Sequence, residues 1–129
     1  MRVLIDTNIF IKASTEGIEV LSKSTRKVVE DPETERCLSS ISTGEIAIKS
    51  AVGKLTMNSD AVLKAAEYLR LTMLPFTAAH AQRLFHVPLF ADHRDPFDRM
   101  LIATALAEDV PIVTTDRQFK RYRGLRVLS

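Results

Sequence analysis

Residues 2–8 read RVLIDTN, a short apolar strand that runs directly into the carboxylate of Asp6. The residues before Asp6 form a continuous apolar run, which is typical of a strand covered on both faces of a parallel sheet. The nearest predicted helix covers residues 18–30 and begins too far along the chain to use Asp6 as a cap. We therefore interpret Asp6 as a candidate functional residue at the end of a buried strand.

Further runs of strand length follow the first one, and helical patterns fill the intervals between them. Strands that alternate with helices form βαβ units with right-handed crossovers, and such units build a parallel sheet between two layers of helices. The sequence therefore predicts a three-layer α/β domain. The predicted strands are 2–6, 36–41, 72–76, 111–115 and 125–128, and the predicted helices are 18–30, 43–51, 60–71, 77–86 and 96–109.

Length and composition fit a single domain over residues 1–129, with 46% apolar and 26% charged residues. The apolar runs are far shorter than the roughly 18 residues that a membrane span requires. A strand pattern that starts at Arg2 leaves no room for a signal peptide. The single cysteine, Cys37, has no partner for an internal disulfide or a zinc site. We therefore expect a cytoplasmic protein without a membrane anchor.

Several polar residues mark where the predicted helices begin. Ser42 and Glu45 have the spacing of a capping box. Thr77 is suited to cap the helix that follows it, and Asp95 stands before a proline at the first helical position. Asp98 falls in the first turn of the same helix, where the helix dipole favours an anion.

Four acidic residues fall where the carboxyl ends of the predicted strands meet. Asp6 ends the first strand, Glu45 follows the second, and Asp116 ends the fourth. The carboxyl ends of parallel strands form the binding edge of an open sheet, so these three residues meet if the first strand is central. Asp98 joins them if its helix begins beside the same crevice. Taken singly, each acid has a structural alternative as a helix cap or a partner of a helix dipole.

If these acids converge, the protein must spread them apart, protonate some of them, or bind a cation. Two carboxylates about 4 Å apart repel each other by roughly 4 kcal/mol at an effective dielectric constant near 20. Several such pairs would cost as much as the whole stability of a small domain. Oxygen-only ligands without support from histidine or cysteine favour Mg²⁺ or Mn²⁺ over zinc. We expect Asp6 and Asp98 to bind this ion directly, while Glu45 and Asp116 hold waters or a second ion. Such a site is suited to the hydrolysis of a phosphodiester bond.

Basic residues are concentrated near the end of the chain, although the net charge of +2 is too small to indicate a polyanionic partner by itself. From Arg117 to Arg126 there are five basic residues, no acid, and Tyr122 as a candidate stacking residue. This run is either a solvated face or a footprint for a phosphate backbone. Arg94, Arg99 and Arg117 stand close to the candidate acids in sequence and are candidate phosphate contacts.

The most distinctive segment is HRDPFDRMLIATA at 93–105, with VTTD at 113–116 after it. The other segments are LIDTN at 4–8, TGEIAIK at 43–49, GKL at 53–55 and LPFTAAHA at 74–81. In this order and spacing they resemble the PIN-domain ribonucleases, and more narrowly the VapC toxins of bacterial and archaeal toxin–antitoxin pairs. The resemblance spans nearly the whole chain.

This resemblance implies a three-layer α/β/α sandwich with a mostly parallel sheet of four to five strands. It implies an endoribonuclease that depends on Mg²⁺ or Mn²⁺, forms a homodimer, and is inhibited by an antitoxin protein encoded beside it. The family's acidic positions carry over onto Asp6, Glu45, Asp98 and Asp116, with Asp6 and Asp98 as direct metal ligands. Asp95 matches an additional acid of the subgroup, as a helper or a cap.

Partner surfaces are expected on the helix over 18–30 and on the segment 50–71. Val52, Leu55 and Met57 supply apolar side chains there that a dimer or an antitoxin would cover. A role for these residues in the core is the alternative.

Other interpretations of the same residues remain open. A phosphoacceptor receiver domain would need an aspartate at the end of the middle strand, where LPFT at 74–77 has none. A haloacid-dehalogenase-type phosphatase would need a second aspartate at the position of Asn8. A catalytically inactive module that only binds RNA or protein would use the acids as helix caps. His80, His86 and His93 are ordinary packed or surface residues in one interpretation, and in the other His93 orients an acid of the site.

Overall fold

Five strands form one parallel sheet at the centre of the computed structural model, which describes residues 1–129. The strands are β1 (Arg2–Ile5), β2 (Glu35–Ser39), β3 (Thr72–Leu74), β4 (Ile112–Val113) and β5 (Val127–Leu128). Their order across the sheet is β3-β2-β1-β4-β5, and every neighbouring pair is parallel. β1 is therefore the central strand, and the strand order reverses between β1 and β4.

Helices cover both faces of this sheet. They are α1 (Thr7–Glu16), α2 (Lys23–Glu30), α3 (Ser40–Ala51), α4 (Ser59–Tyr68), α5 (Ala78–Leu84) and α6 (Pro96–Glu108), with short 3₁₀ helices over Ile18–Val20 and Arg117–Arg121. None of these helices is long and apolar enough to cross a lipid bilayer.

Alternation along β1 divides the core into two clusters. Val3 and Ile5 point to one face, where they pack with residues of α1, α2 and α4. Leu4 points to the other face and packs with α6 and with the 3₁₀ helix near the end of the chain. Successive side chains of a strand face opposite sides of a sheet, so β1 connects two helical layers. The predicted three-layer α/β/α sandwich is confirmed.

The helix α1 is absent from the sequence prediction. It begins at Thr7, directly after Asp6, and buries Ile9, Phe10 and Ala13. Its first residues are rich in β-branched side chains, which lower the intrinsic helix propensity, so the segment had no clear helical period. Tertiary packing of this apolar face stabilises the helix instead.

The helix predicted over 18–30 is interrupted. A 3₁₀ helix occupies Ile18–Val20, and α2 begins only at Lys23. Ser22 ends the interruption, because its hydroxyl accepts a hydrogen bond from the Thr25 amide and caps α2.

The capping box predicted at Ser42 and Glu45 is wrong. α3 begins at Ser40, and Ser39 is its cap, with the hydroxyl accepting from the Ile41 amide. The predicted strand 36–41 therefore ends at Ser39, because its last two residues form the first turn of the helix. The Thr77 cap of α5 and the Asp95 cap of α6 are confirmed.

The remaining strands are also shorter than predicted at one or both ends. The observed strands have the bounds given above, whereas the sequence predicted 2–6, 72–76, 111–115 and 125–128. Apolar character continues past the last ladder pair because connecting residues also contribute to the core, so hydrophobicity alone overestimates strand length.

Candidate active site

Asp6 lies at the carboxyl end of β1, beside the point where the strand order reverses. It occupies the cap position of α1, yet its side chain makes no capping hydrogen bond of normal geometry. Instead Oδ2 accepts a hydrogen bond of 2.6 Å from the hydroxyl of Thr114, which follows β4. Only 3% of Asp6 is exposed. A helix does begin near Asp6, since α1 starts at Thr7, so the prediction that none does is wrong. The Asp6 carboxylate nevertheless bonds to Thr114 across the sheet and not to an amide of α1.

Burial raises the pKa of the Asp6 carboxyl above its ordinary value. The Thr114 hydroxyl and the Asn8 amide lower this pKa, and the negative charges of Glu45 and Asp116 raise it. These mutual effects show that the acids of different strands lie within electrostatic reach of one another.

Asp98 stands in the first turn of α6, where Asp95 caps the helix. The Asp95 carboxylate accepts hydrogen bonds from the amides of Phe97 and Asp98. Asp98 Oδ2 lies 3.0 Å from His93 Nε2. Burial raises the pKa of Asp98 to about 6, and the charges of Asp95 and Asp6 act in the same direction, whereas the hydrogen bond with His93 opposes them.

Asp116 follows β4 and lies close to Asp98 of α6. It caps the 3₁₀ helix over Arg117–Arg121, with Oδ1 accepting from the Gln118 amide at 2.9 Å. One potential ligand atom from each of His93, Asp98 and Asp116 lies within 4.8 Å of the others. The capping role proposed as an alternative for Asp116 is thus real, and it coexists with a place in a potential metal-binding group.

Glu45 reaches the site from the second turn of α3 and is almost completely buried, with 5% exposed. Its Oε2 accepts a hydrogen bond of 2.6 Å from the ammonium group of Lys49, one turn further along the helix. The other oxygen, Oε1, is buried without any hydrogen-bond partner. An unpartnered buried carboxylate oxygen is costly, so the protein gains stability from any cation or water that meets it.

The residues present fit a hard divalent cation. Asp6, Glu45, Asp98 and Asp116 supply carboxylate oxygens, which Mg²⁺ and Mn²⁺ prefer. Burial is the main cause of the raised pKa values of Asp6 and Asp98, and neighbouring acids add to it. The Oε1 atom of Glu45 is buried without a partner, which a cation would supply. Neither Asp6 nor Glu45 belongs to the group of ligand atoms within 4.8 Å of one another, which is formed by His93, Asp98 and Asp116.

Arg99, a candidate phosphate contact, and Tyr122, a candidate stacking residue, make contacts within the protein instead. Arg99 donates from its guanidinium group to the backbone carbonyls of Val87 and Pro88. Tyr122 is buried and therefore cannot stack on a base, so this part of the sequence prediction is wrong. Its hydroxyl lies 2.7 Å from His93 Nδ1.

Thr114 and Lys49 were not predicted as site residues, and Tyr122 was predicted only as a stacking residue and not as a partner of His93. A signal for Lys49 exists, because an acid and a base four residues apart meet on one helix face. Thr114 stands at a strand end next to the recognised Asp116, which places its hydroxyl at the same edge. Nothing local links Tyr122 to His93, because the two residues are 29 positions apart and meet only through tertiary packing.

Three solved structures illustrate the fold that this chain shares. The chain in VapBC2 from Rickettsia felis, bound to a DNA fragment from their promoter, has a TM-score of 0.72 at 18% identity, over 98% of this chain and 97% of that chain. A chain in VapBC-1 from nontypeable Haemophilus influenzae has a TM-score of 0.71 at 21% sequence identity, and the match covers 100% of this chain and 98% of that chain. A chain in DNA-bound VapBC from Salmonella typhimurium has a TM-score of 0.69 at 22% sequence identity, and the match covers 98% of this chain and 96% of that chain. These values establish a common fold.

No curated protein sequence matches the chain significantly. The sequence profile of the PIN domain, however, matches residues 3–125, which include all but the first residue of the central strand, all four candidate acids and every helix. With the parallel sheet and its acidic carboxyl edge, this match shows that the chain belongs to the PIN domain family.

Proposed function

We propose that this protein is a divalent-metal-dependent endoribonuclease that acts as the toxin of a toxin–antitoxin pair. The observation that carries the proposal is the buried acidic edge, in which the Oε1 atom of Glu45 has no partner. In this proposal residues 1–129 form a single PIN-like domain, and the protein acts in the cytoplasm, where its RNA substrate is found.

Asp6 and Asp98 are the proposed direct metal ligands. Each has one oxygen held by a neighbour, Thr114 for Asp6 and His93 for Asp98. In both residues the Oδ1 atom accepts no side-chain hydrogen bond, so it is available to a cation. Mg²⁺ commonly takes only one or two carboxylates directly and keeps several waters, which agrees with this assignment.

Glu45 and Asp116 complete the proposed catalytic set. Glu45 presents Oε1 from a rigid helix, and Asp116 is fixed by the backbone hydrogen bond that caps the 3₁₀ helix. Both are suited to orient water or a second ion. When bound, Mg²⁺ or Mn²⁺ neutralises charge that develops on the phosphodiester and lowers the pKa of water at the site.

The proposed partners are an antitoxin protein and a second copy of the chain. The structural relatives named above are VapBC complexes, and FitAcB from Neisseria gonorrhoeae has a related fold with a TM-score of 0.58 at 20% identity. Of the apolar residues expected at a partner surface, Val52 is well exposed, whereas Leu55 and Met57 are half-buried against the core. Leu55 and Met57 line a groove of about 590 Å³ between α1 and α4, which is open to a partner segment.

The nuclease proposal is tested on the purified protein freed of any partner. We expect it to cleave structured RNA with Mg²⁺ or Mn²⁺ and to stop when EDTA is added. Asp6→Asn should abolish cleavage while thermal unfolding shows an intact fold, because a neutral amide removes one ligand and relieves repulsion. Asp60→Asn, on the exposed first turn of α4, is the matched control and should cleave normally.

A catalytically inactive module that binds RNA or protein is the second candidate function. The capping roles of Asp95 and Asp116 support this alternative, since both carboxylates already have a structural use. An Asp6→Asn protein that cleaves RNA as fast as the unmodified protein, or a protein that needs no metal, would contradict the nuclease proposal.

A further inference from the structure

His93 occupies an enclosed position immediately before α6. Its ring is 7% exposed and packs against Phe119 at 5.6 Å and edge-on against Tyr122 at 5.5 Å, measured between ring centroids. Both ring nitrogens are engaged, Nδ1 with the Tyr122 hydroxyl at 2.7 Å and Nε2 with Asp98 Oδ2 at 3.0 Å. The imidazole therefore bridges the hydrophobic layer and the acidic edge.

The ionised form of Asp98, which is the form that would bind a cation, sets the direction of both hydrogen bonds. An ionised Asp98 has no proton to donate, so His93 Nε2 must carry the hydrogen and donate it to Oδ2. In the neutral imidazole Nδ1 is then an acceptor, and the Tyr122 hydroxyl donates to it. The Tyr122 hydroxyl, which can donate or accept, thus completes the arrangement by meeting the second nitrogen of His93.

Given the proposed nuclease site, we infer that His93 is a positioning residue that holds Asp98 through Nε2 and is itself held by the Tyr122 hydroxyl. This bond restrains Oδ2, and Oδ1 would then be the oxygen left to hold a cation. Groups that orient a ligating side chain in this way contribute strongly to metal affinity without touching the metal.

The main alternative is that His93 itself binds the metal, since one of its nitrogens lies within 4.8 Å of ligand atoms of Asp98 and Asp116. Ligation through Nε2 would require that nitrogen to lose its hydrogen and give up Asp98. Ligation through Nδ1 would displace the Tyr122 hydroxyl, which is buried and would lose its partner. Either change breaks a contact that the fold has already formed.

A second histidine in the chain provides an internal control. His80 is completely buried, and its Nε2 lies 2.7 Å from Glu108 Oε2, at the opposite end of α6. Its Nδ1 also accepts a hydrogen bond, from the Thr77 amide. The pair has the same chemistry as His93 and Asp98 but lies away from the acidic edge.

The test compares two amides at position 93 by the affinity for Mn²⁺, measured from the electron paramagnetic resonance signal of the free ion. A glutamine amide reaches the place of Nε2 and can still donate to Asp98, whereas an asparagine amide reaches only the place of Nδ1. We expect His93→Asn to weaken Mn²⁺ binding about 10- to 100-fold. His93→Gln should remain close to the unmodified protein, and His80→Asn should leave the affinity unchanged even if it lowers the stability.

Tyr122→Phe supplies a second criterion that is independent of the fold of the position-93 variants. It removes only the hydroxyl that holds the ring through Nδ1, so we expect a measurable but smaller loss of Mn²⁺ affinity. Pulsed electron paramagnetic resonance of the bound ion should show no directly coordinated nitrogen.

Three results would overturn the inference. The first is unchanged affinity in both His93→Asn and Tyr122→Phe, and the second is a directly coordinated nitrogen that disappears in His93→Gln. In either case Mn²⁺ binding by the unmodified protein would leave the nuclease proposal intact. The third is an unmodified protein that binds no Mn²⁺, which would remove the nuclease proposal and this inference together.

Discussion

Asp6 occupies the cap position of α1, yet its carboxylate accepts a hydrogen bond from the hydroxyl of Thr114, which follows β4. A capping aspartate normally satisfies an amide of its own helix. Here Thr114 holds Oδ2 at 2.6 Å, and burial raises the pKa of the carboxyl. A residue that lacks its ordinary structural partner and is buried beside other acids is a strong candidate for function.

Thr114 connects Asp6 with Asp116, because its hydroxyl donates to Asp6 and accepts from the Asp116 amide at 3.1 Å. We expect Thr114→Val, which keeps the shape, to lower RNA cleavage and to cost about 1–3 kcal/mol in the free energy of unfolding, since the buried Asp6 carboxylate and the half-buried Asp116 amide lose their hydrogen bonds. Denaturant titration and cleavage assays measure the two effects.

Controls for this substitution are available in the same chain. Thr114→Ser retains the hydroxyl and should retain most of the activity. Thr104 is equally buried, but its hydroxyl only donates back to the Met100 carbonyl of its own helix. Thr104→Val should therefore be nearly neutral, and an equal loss in Thr104→Val and Thr114→Val would contradict a special role for Thr114.

Asp98 makes the metal-free protein sensitive to pH. Its pKa is raised from the ordinary 3.8 to about 6, so the folded state prefers the protonated form. The stability that Asp98 contributes is then fully present below pH 4 and is lost as the pH rises through about 6. Without metal, Asp98→Asn should be more stable than the unmodified protein by roughly 1–3 kcal/mol at pH 7 and nearly equal to it at pH 4.

The measurement is urea unfolding at both pH values in EDTA and again with saturating Mn²⁺. Mn²⁺ binds the folded protein through the ionised carboxylate and should reverse the order of stability at pH 7. A stability difference between the two proteins that does not change with pH would show that Asp98 ionises normally.

At the scale of elements, caps decide where the helices begin and so which acids reach the site. α3 begins at Ser40 because Ser39 caps it, and this start places Glu45 in the second turn, pointing into the interior. α6 begins after Asp95, which places Asp98 in the first turn beside the carboxyl end of β4. A shift of either start by one residue would rotate the acid away by about 100°.

The role of Asp95 is tested by comparing an amide with an apolar side chain. Asparagine caps helices as well as aspartate, so Asp95→Asn should keep both the stability and RNA cleavage. Asp95→Ala should lose about 1 kcal/mol in the free energy of unfolding and part of the activity, because the first turn of α6 carries Asp98. Loss of cleavage in Asp95→Asn without loss of stability would show instead that Asp95 contacts the metal.

At the scale of the whole molecule, one strand order creates the site. With β1 central and β4 beside it, the segments that follow β1, β2 and β4 place acids at the same edge. Two of these acids, Asp6 and Asp116, are more than a hundred residues apart in the chain. The opposite edge carries a different network, in which Glu108 pairs with Arg2 and His80. In that network Glu108 has two basic partners, whereas at the acidic edge Lys49 pairs with Glu45 and leaves its Oε1 atom without a partner.

The surface beside β3 is where we expect the homodimer to form. Leu63 and Met73 are exposed apolar residues that line one groove of about 190 Å³. We expect a dimer at micromolar concentration by light scattering, and Leu63→Glu should shift it toward monomer because a charge would be buried. Phe85→Glu, on the opposite face of the sheet, should remain dimeric. A monomeric unmodified protein would contradict the dimer.

The sequence by itself determined the layers, the parallel sheet, the caps at Thr77 and Asp95, and the edge on which the acids were expected. These follow from local hydrophobic runs and from cap chemistry, which act over a few residues. The existence of α1 was decided by tertiary structure, since packing of its apolar face outweighs its weak propensity. The start of α3 could not be predicted, because neighbouring serines are all chemically able to cap.

The partners of the acids were also decided only by the tertiary structure. Thr114 holds Asp6 and Tyr122 holds His93 across distances in sequence that no local pattern can encode. The pKa of a carboxyl depends on the water it loses and on the charges that surround it, and both are properties of the folded arrangement. The chain specifies which residues are acidic, and the strand order decides which of them face one another.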